Sequence, residues 1–377
     1  MDATSLSSTA QPTTATGPIA PCGVPIRNIW HMLLYAWGEA DAVNRWRGEV
    51  EAAPSLDALL ASILARLIEQ RLRIGLGRGY TLQERTIRGV RGRIDFTGSL
   101  KRLDFQRSAA HCRFYDFTLD IPRNQIVRAV LTRLAAIGRF GPNTNLAEAL
   151  RQRLRRIVRD LGDVSVIEPR LETIARETLG RNDGDYRLML AICELVLRRE
   201  MPTEAAGYST SIGIDRDTLT LHRVFERFVA SLLRLRLDGW EVSVQKQLSW
   251  HAIQVSSHLP VMKVDVLLRN KRTGRLVVVD TKFTPNSLIV GQYGKEIFDR
   301  NHLYQMYAYL RSQEHCSNFH REAEGVLLYP MVAASLSERV ILQGHSIRLE
   351  TVDLTQPWPA IEARIVRASV GELAATA

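Results

Sequence analysis

The stretch VMKVDVLLRNKRTGRLVVVDTKF, Val261 to Phe283, contains two β-rich runs joined by a polar connection that ends on Gly274. Both runs are dominated by branched residues, so the segment reads as a hairpin of VMKVDVLL and RLVVVDTKF around the loop RNKRTG. Side chains alternate along a strand with a period of two, which places Asp280 and Lys282 on one face of the second strand. Asp265 lies on the first. Asp280 follows the apolar run Leu276 to Val279, and a carboxylate at the end of such a run is poorly explained as surface decoration. Hydrolysis of a phosphodiester needs Mg²⁺ held by carboxylate oxygens, and two aspartates on neighbouring strands supply them. A lysine two residues beyond the second carboxylate can stabilise charge on the phosphorus or orient the attacking water.

The flanking segments read as helix before the hairpin and helix then strand after it. LTLHRVFERFVASLLRLRL, Leu219 to Leu237, carries an apolar stripe through Leu221, Phe225, Phe228, Val229 and Leu232. NHLYQMYAYL, Asn301 to Leu310, is a second helix on which Gln305 and Tyr309 stand four residues apart on one face. There they either touch a DNA backbone or, for Tyr309, pack as part of an amphipathic surface. GVLLYP, Gly325 to Pro330, reads as a further buried strand.

Towards the N-terminus the pattern changes. Residues 1–23 form a flexible tail rich in Ser, Thr, Ala and Pro. PIRNIWHMLLYAWG, Pro25 to Gly38, is a core-facing helix, and a second helix follows with Ser55 as its N-cap and Leu59, Ile63, Leu67 and Leu72 as its stripe. Glycine-punctuated alternation between Tyr80 and Asp120 predicts short strands, and Pro122 to Glu200 returns to helices with basic polar faces. Pro202, Gly207 and Gly213 then mark a domain junction near residue 205. The chain is therefore expected to be mixed α/β, with an N-terminal α+β and helical domain over 24–205, a second domain over 206–366 and a tail over 367–377.

With 377 residues, 45% of them hydrophobic, the chain is long enough for two cores. A net charge of +10 suits a polyanionic partner such as nucleic acid. There is no apolar run of membrane-spanning length and no signal-peptide pattern, so a cytoplasmic protein is expected. Cys22, Cys112, Cys193 and Cys316 form no CxxC pair and read as reduced, buried thiols. His315, Cys316 and His320 lack the spacing of a structural zinc site. No GxxxxGK[ST] occurs, so no nucleotide is expected to bind this chain.

The order helix, D(x14)DxK, QxxxY, strand resembles the PD-(D/E)XK nuclease superfamily, with Val264 where the eponymous proline would stand. Beyond that hairpin, PIRNIWHMLLYAWG, VRGRIDF (Val90 to Phe96), DIPRNQIVRAVL (Asp120 to Leu131), VFERF (Val224 to Phe228) and VVVDTKF resemble the McrC family, the nuclease subunits of McrBC modification-dependent restriction systems. The likeness covers roughly residues 24–330. It implies a restriction-endonuclease-like second domain, with a central mixed sheet flanked by helices. It also implies cleavage of double-stranded, modified-cytosine DNA with Mg²⁺, Mn²⁺ being a possible substitute, and a partner AAA+ GTPase of the McrB kind. This chain would stimulate that GTPase and could enter a higher-order assembly through it. Asp265, Asp280 and Lys282 take the catalytic positions, and Glu226 of VFERF matches the helix glutamate that often completes the metal site. Glu226 lies away from the centre of its helix's apolar stripe, where a solvated glutamate would also sit. Arg88, Arg91 and Arg93 are candidates for phosphate contact, against a plain reading as solvated charge. The rival functions are a non-catalytic adaptor that activates a motor, a stand-alone repair or defence nuclease, and a transcription regulator. The last would leave the carboxylate hairpin unexplained.

Overall fold

The computed structural model describes residues 18–20, 23–180, 183–200, 216–252, 256, 258–282, 288–290, 296–331 and 336–371. The chain divides into two compact units, Met1–Glu51 with Ser211–Ala377, and Ala52–Thr210. The expected junction near residue 205 lies outside the described residues. The N-terminal helix α1 (Ile26–Ala36), however, belongs with the C-terminal segment and not with the residues that follow it, unlike the 24–205 domain expected. Every residue from Asn28 to Tyr35 on α1 is buried, and a helix without a solvated side has to be enclosed by other elements. The fold also begins earlier and ends later than expected: Ile19 bridges Pro25, and the last helix runs to Val370. A 3₁₀ turn (Ala40–Trp46) and a short helix α2 (Arg47–Ala52) follow α1.

In the Ala52–Thr210 unit, α3 (Leu56–Ile74) starts at Ser55, whose hydroxyl accepts from the Ala58 amide at 3.1 Å, as an N-cap should. Strands β1 (Gly79–Arg88), β2 (Arg93–Ile94) and β3 (Ala109–Thr118) form a three-stranded antiparallel sheet in the order β1-β3-β2. Between β2 and β3, where strands were expected, lies helix α4 (Phe96–Lys101). The Asp95 carboxylate accepts from the Gly98 amide at 2.9 Å and so caps that helix. Helices α5 (Pro122–Ile137), α6 (Thr144–Asp160), α7 (Leu171–Ala175) and α8 (Gly184–Glu200) complete the unit. The polar part of DIPRNQIV is a fastening. Asn124, fully buried, donates to the Gly77 and Leu119 carbonyls at 2.9 and 2.7 Å and accepts from the Tyr186 hydroxyl at 2.6 Å. Every polar atom of that amide's fork is thus satisfied, as burial requires.

In the other unit the chain continues with α9 (Arg216–Arg236), β4 (Trp240–Leu248), β5 (Met262–Asn270), β6 (Leu276–Thr281), β7 (Leu288–Val290), β8 (Glu296–Phe298), α10 (Arg300–Gln313), α11 (Asn318–Arg321), β9 (Glu324–Met331), β10 (Ser337–Leu342), β11 (His345–Asp353) and α12 (Trp358–Val370). Six strands form one mixed sheet in the order β10-β11-β9-β6-β5-β4, parallel at β6/β9 and β9/β11 and antiparallel elsewhere. The predicted hairpin is β5/β6, paired from Arg269↔Leu276 to Val266↔Val279. β6 is buried along its whole length, as expected of a β-branched run at the centre of a sheet. Helix α10 packs on one face through Met306, Tyr309 and Leu310 against Val264, Val278, Leu327 and Tyr329. It approaches β9 closely because residue 325 is glycine; a Cβ there would fall 2.7 Å from Met306. Elsewhere the sheet is covered by α9 and α12, and Phe228 of α9 stacks near Tyr35 of α1 and Trp358 of α12, with ring centroids 5.6 and 5.1 Å away. The Asn28 side chain ties α1 to this unit by donating to the carbonyls of Leu354 and Gln356 at 2.8 and 3.0 Å. Among the described residues, no helix is long and apolar enough to cross a membrane.

Candidate functional site

Asp265 sits where its strand parts from β6 and has a one-residue gap in its pairing with β4. On one side the β5/β6 ladder ends at Val266↔Val279. On the other, the β4/β5 register passes from Val244↔Val266 to Lys246↔Val264 and leaves Gln245 unpaired opposite Asp265. β6 meanwhile stays paired with β9 through Thr281↔Leu328, and the Lys282 amide donates to the Leu328 carbonyl at 2.9 Å. The strands therefore splay at one end of the sheet. The Thr281 amide, turned towards the departing β5, finds the Asp265 carboxylate instead of a ladder partner. It donates to Oδ2 at 2.8 Å, and the Thr281 hydroxyl adds a second bond to the same oxygen at 2.9 Å. Asp265 is thereby fixed in one orientation by groups adjacent to the other aspartate.

Asp280 is only 2% exposed. Lys282 lies on the same side, as the period-two reading requires, with its ammonium 2.6 Å from Asp280 Oδ2. The ammonium meets that buried oxygen as a close ion pair. Burial, helped by the nearby Asp265 charge and opposed by Lys282, pushes the Asp280 carboxyl up to about 6. Lys282 is held from the other direction as well, donating to Gln305 Oε1 at 2.7 Å. Gln305 Nε2 in turn donates to the Tyr309 hydroxyl at 2.5 Å, and that hydroxyl donates to the Lys263 carbonyl at 2.8 Å. The four-residue spacing of Gln305 and Tyr309 thus builds a relay from the β5 backbone to the lysine. Tyr309 is 6% exposed with its hydroxyl committed, so it supports the lysine and is not presented to a DNA backbone as the sequence had suggested.

Helix α9 adds Glu226, half-buried, with its carboxyl raised by burial and by Asp265. It faces the aspartates and is not the solvated residue that its wheel position also allowed. The expected ligand set of Asp265, Asp280 and Glu226 is nevertheless not closed: among the described residues no three metal-binding side chains stand close enough together to enclose an ion. Gln245 links two of the three, its Nε2 donating to Glu226 Oε1 and to Asp265 Oδ1, the latter at 3.3 Å. Asp265 and Asp280 remain the pair whose oxygens a cation could share. An oriented carboxylate beside a buried one, both offering hard oxygen donors, fits a hard cation such as Mg²⁺.

Two residues at the site carry no signal in the motif. His222, one turn before Glu226, hydrogen-bonds the Thr281 backbone, and burial lowers its basicity against the opposing pull of Asp265. Its four-residue spacing from Glu226 could have drawn attention to it. Gln245 had no such marker. The three arginines lie in the other unit, exposed around the end of β1 and the start of β2. Arg91 is engaged by Asp116 at 3.0 Å and lies over the Phe114 ring, whereas Arg88 and Arg93 have no acidic partner among the described residues. Cys112 and Cys193 are buried free thiols, but Cys316 is exposed, against expectation, because it follows the last turn of α10.

The sequence matches the family described as McrBC 5-methylcytosine restriction system component over residues 27–330. It is 25% identical over 349 residues to the type IV methyl-directed restriction enzyme EcoKMcrBC of Escherichia coli (strain K12), covering 91% of this chain and 96% of the relative. Its fold is similar to one in a refined half-complex from a tetradecameric assembly of Thermococcus gammatolerans McrB AAA+ hexamers with bound McrC. The TM-score is 0.51 at 17% identity, over 91% of this chain and 75% of that one. The family match spans most of the chain and includes the splayed hairpin, so the chain belongs to the family of McrBC 5-methylcytosine restriction system components.

Proposed function

We propose that this chain is the DNA-cutting subunit of a type IV, McrBC-like restriction complex, hydrolysing phosphodiester bonds of modified-cytosine DNA with a divalent metal. The carrying observation is Asp280, a buried carboxylate, next to the oriented Asp265 and a lysine anchored both to Asp280 and to Gln305. Mg²⁺ bound by the two aspartates would polarise a phosphoryl oxygen and make hydroxide available from water at neutral pH. The chain's own groups do the rest. Thr281 holds Asp265 in place. Gln305, itself fixed by Tyr309, keeps the Lys282 ammonium beside Asp280, where it can stabilise charge developing on the scissile phosphate or orient the attacking water. Glu226 stands within reach of the same site as a further carboxylate.

Family membership and the fold shared with McrC bound to McrB hexamers support an AAA+ GTPase of the McrB kind as the partner. In that arrangement this chain stimulates the motor and cuts after it has acted. The test is cleavage of methylated and unmethylated plasmid by this chain plus its motor, with Mg²⁺ and GTP or ATP, comparing wild type with Asp280→Ala. Cutting of methylated plasmid by wild type alone, with motor stimulation intact in both, supports the reading. Equal behaviour of the two proteins would leave an adaptor that only activates the motor.

A further inference from the structure

Gln245 is one of four non-glycine residues among those described with a positive φ, at +52°, and it lies inside strand β4. A side chain there is disfavoured by the contact between Cβ and the following carbonyl, so the conformation persists only where surrounding interactions hold it. The interactions are visible. Gln245 faces Asp265 at the gap in the β4/β5 ladder, and its amide nitrogen donates to two carboxylates on different elements, Glu226 of α9 and Asp265 of β5. An ordinary strand conformation would turn this side chain away from one or both.

We infer that Gln245 is the positioning residue of the metal site, a neutral bridge that holds Glu226 on the same side as Asp265. This rests on the metal-dependent reading above. Two carboxylates brought together repel, and glutamate has three rotatable bonds with which to escape to water. The amide opposes both tendencies without adding charge. Asp265 Oδ1 and Glu226 Oε1 each keep a lone pair beside the amide bond, and Glu226 keeps its second oxygen, so the bridge orders the ligands without exhausting them. Without the amide, Glu226 must be ordered by the cation itself, and affinity falls by the cost of fixing a long side chain, about tenfold. Gln245 touches no reacting atom in this account, and its effect runs through the ligands.

The test is Mn²⁺ binding to the full chain by calorimetry, for wild type, Asp280→Ala, Gln245→Ala and Gln245→Gly, with thermal melts of each. Wild type should bind and Asp280→Ala should not. Both Gln245 variants should bind about tenfold more weakly than wild type. Gln245→Gly should melt about 2–4 °C above Gln245→Ala, because glycine accepts the positive φ. If Gln245→Ala fails to fold, the glycine variant carries the test alone. Wild-type affinity in both variants, or tighter binding, would overturn the inference. Wild-type affinity in Gln245→Gly alone would also overturn it, by assigning the effect to backbone conformation and not to the amide. Failure of wild type itself to bind Mn²⁺ would instead remove the metal-dependent reading, and this inference with it.

Discussion

Replacing Asp280 by asparagine should make the metal-free protein more resistant to alkaline pH. The carboxyl is held at about 6 against an ordinary 3.8, chiefly because it is buried. Its folded value is raised, so the protonated form is the favoured one in the fold. The associated stability is complete below the unfolded value and is lost as pH rises through about 6. At about 1.36 kcal/mol per pKa unit, full ionisation costs the folded state ~3 kcal/mol, and about 2 kcal/mol of this falls between pH 4.5 and pH 8. The amide of the variant does not titrate. The comparison that isolates the effect is therefore the difference between variant and wild type at pH 8, less the same difference at pH 4.5, since isostere differences common to both conditions cancel. Lys282 retains its bond to Gln305 in the variant. Chemical denaturation with a chelator present should show the variant gaining about 2 kcal/mol on wild type over that interval. Saturating Mg²⁺ should close the gap by stabilising wild type alone. A variant that loses ground to wild type between pH 4.5 and pH 8 would refute the argument, because Asp280 would then be better accommodated ionised than neutral.

Three further outcomes follow from the relay and the arginines. Tyr309→Phe leaves the Lys263 carbonyl and the Gln305 amide without their partner, so denaturant melts should show a loss of about 1 kcal/mol with DNA affinity unchanged; the reverse pattern would restore Tyr309 as a DNA contact. Gln305→Ala frees the Lys282 ammonium and should lower single-turnover cleavage by about tenfold or more, with Mn²⁺ affinity within about twofold of wild type. Arg88→Ala and Arg93→Ala should each reduce the slope of log affinity for DNA against log salt by about 0.9, while Arg91→Ala, already committed to Asp116, should not; unchanged slopes in all three would mark them as plain solvated charge.

The hairpin, α3 with its Ser55 cap, α9, α10 and β9 were legible because each is specified locally, by alternation, helical spacing or a capping side chain, and tertiary structure only had to agree. The DxK pair was legible for the same reason: two residues on one strand share a face whatever surrounds them. What escaped depends on partners distant in sequence. The stripe on α1 marked a buried side, but nothing local said that its other side would be enclosed by α9 and α12. Asp95 read as part of an alternating stretch until its carboxylate took the Gly98 amide and turned the chain into α4. Tyr309 looked like a surface phenol because its acceptor, the Lys263 carbonyl, lies 46 residues away. Gln245 is the extreme case, since its role needs β4, β5 and α9 in register at once, and the conformation that aims it is disfavoured by its own local preference. A motif lists groups that do chemistry; the residue that keeps two of those groups together is defined by a gap in a ladder, and a gap has no sequence of its own.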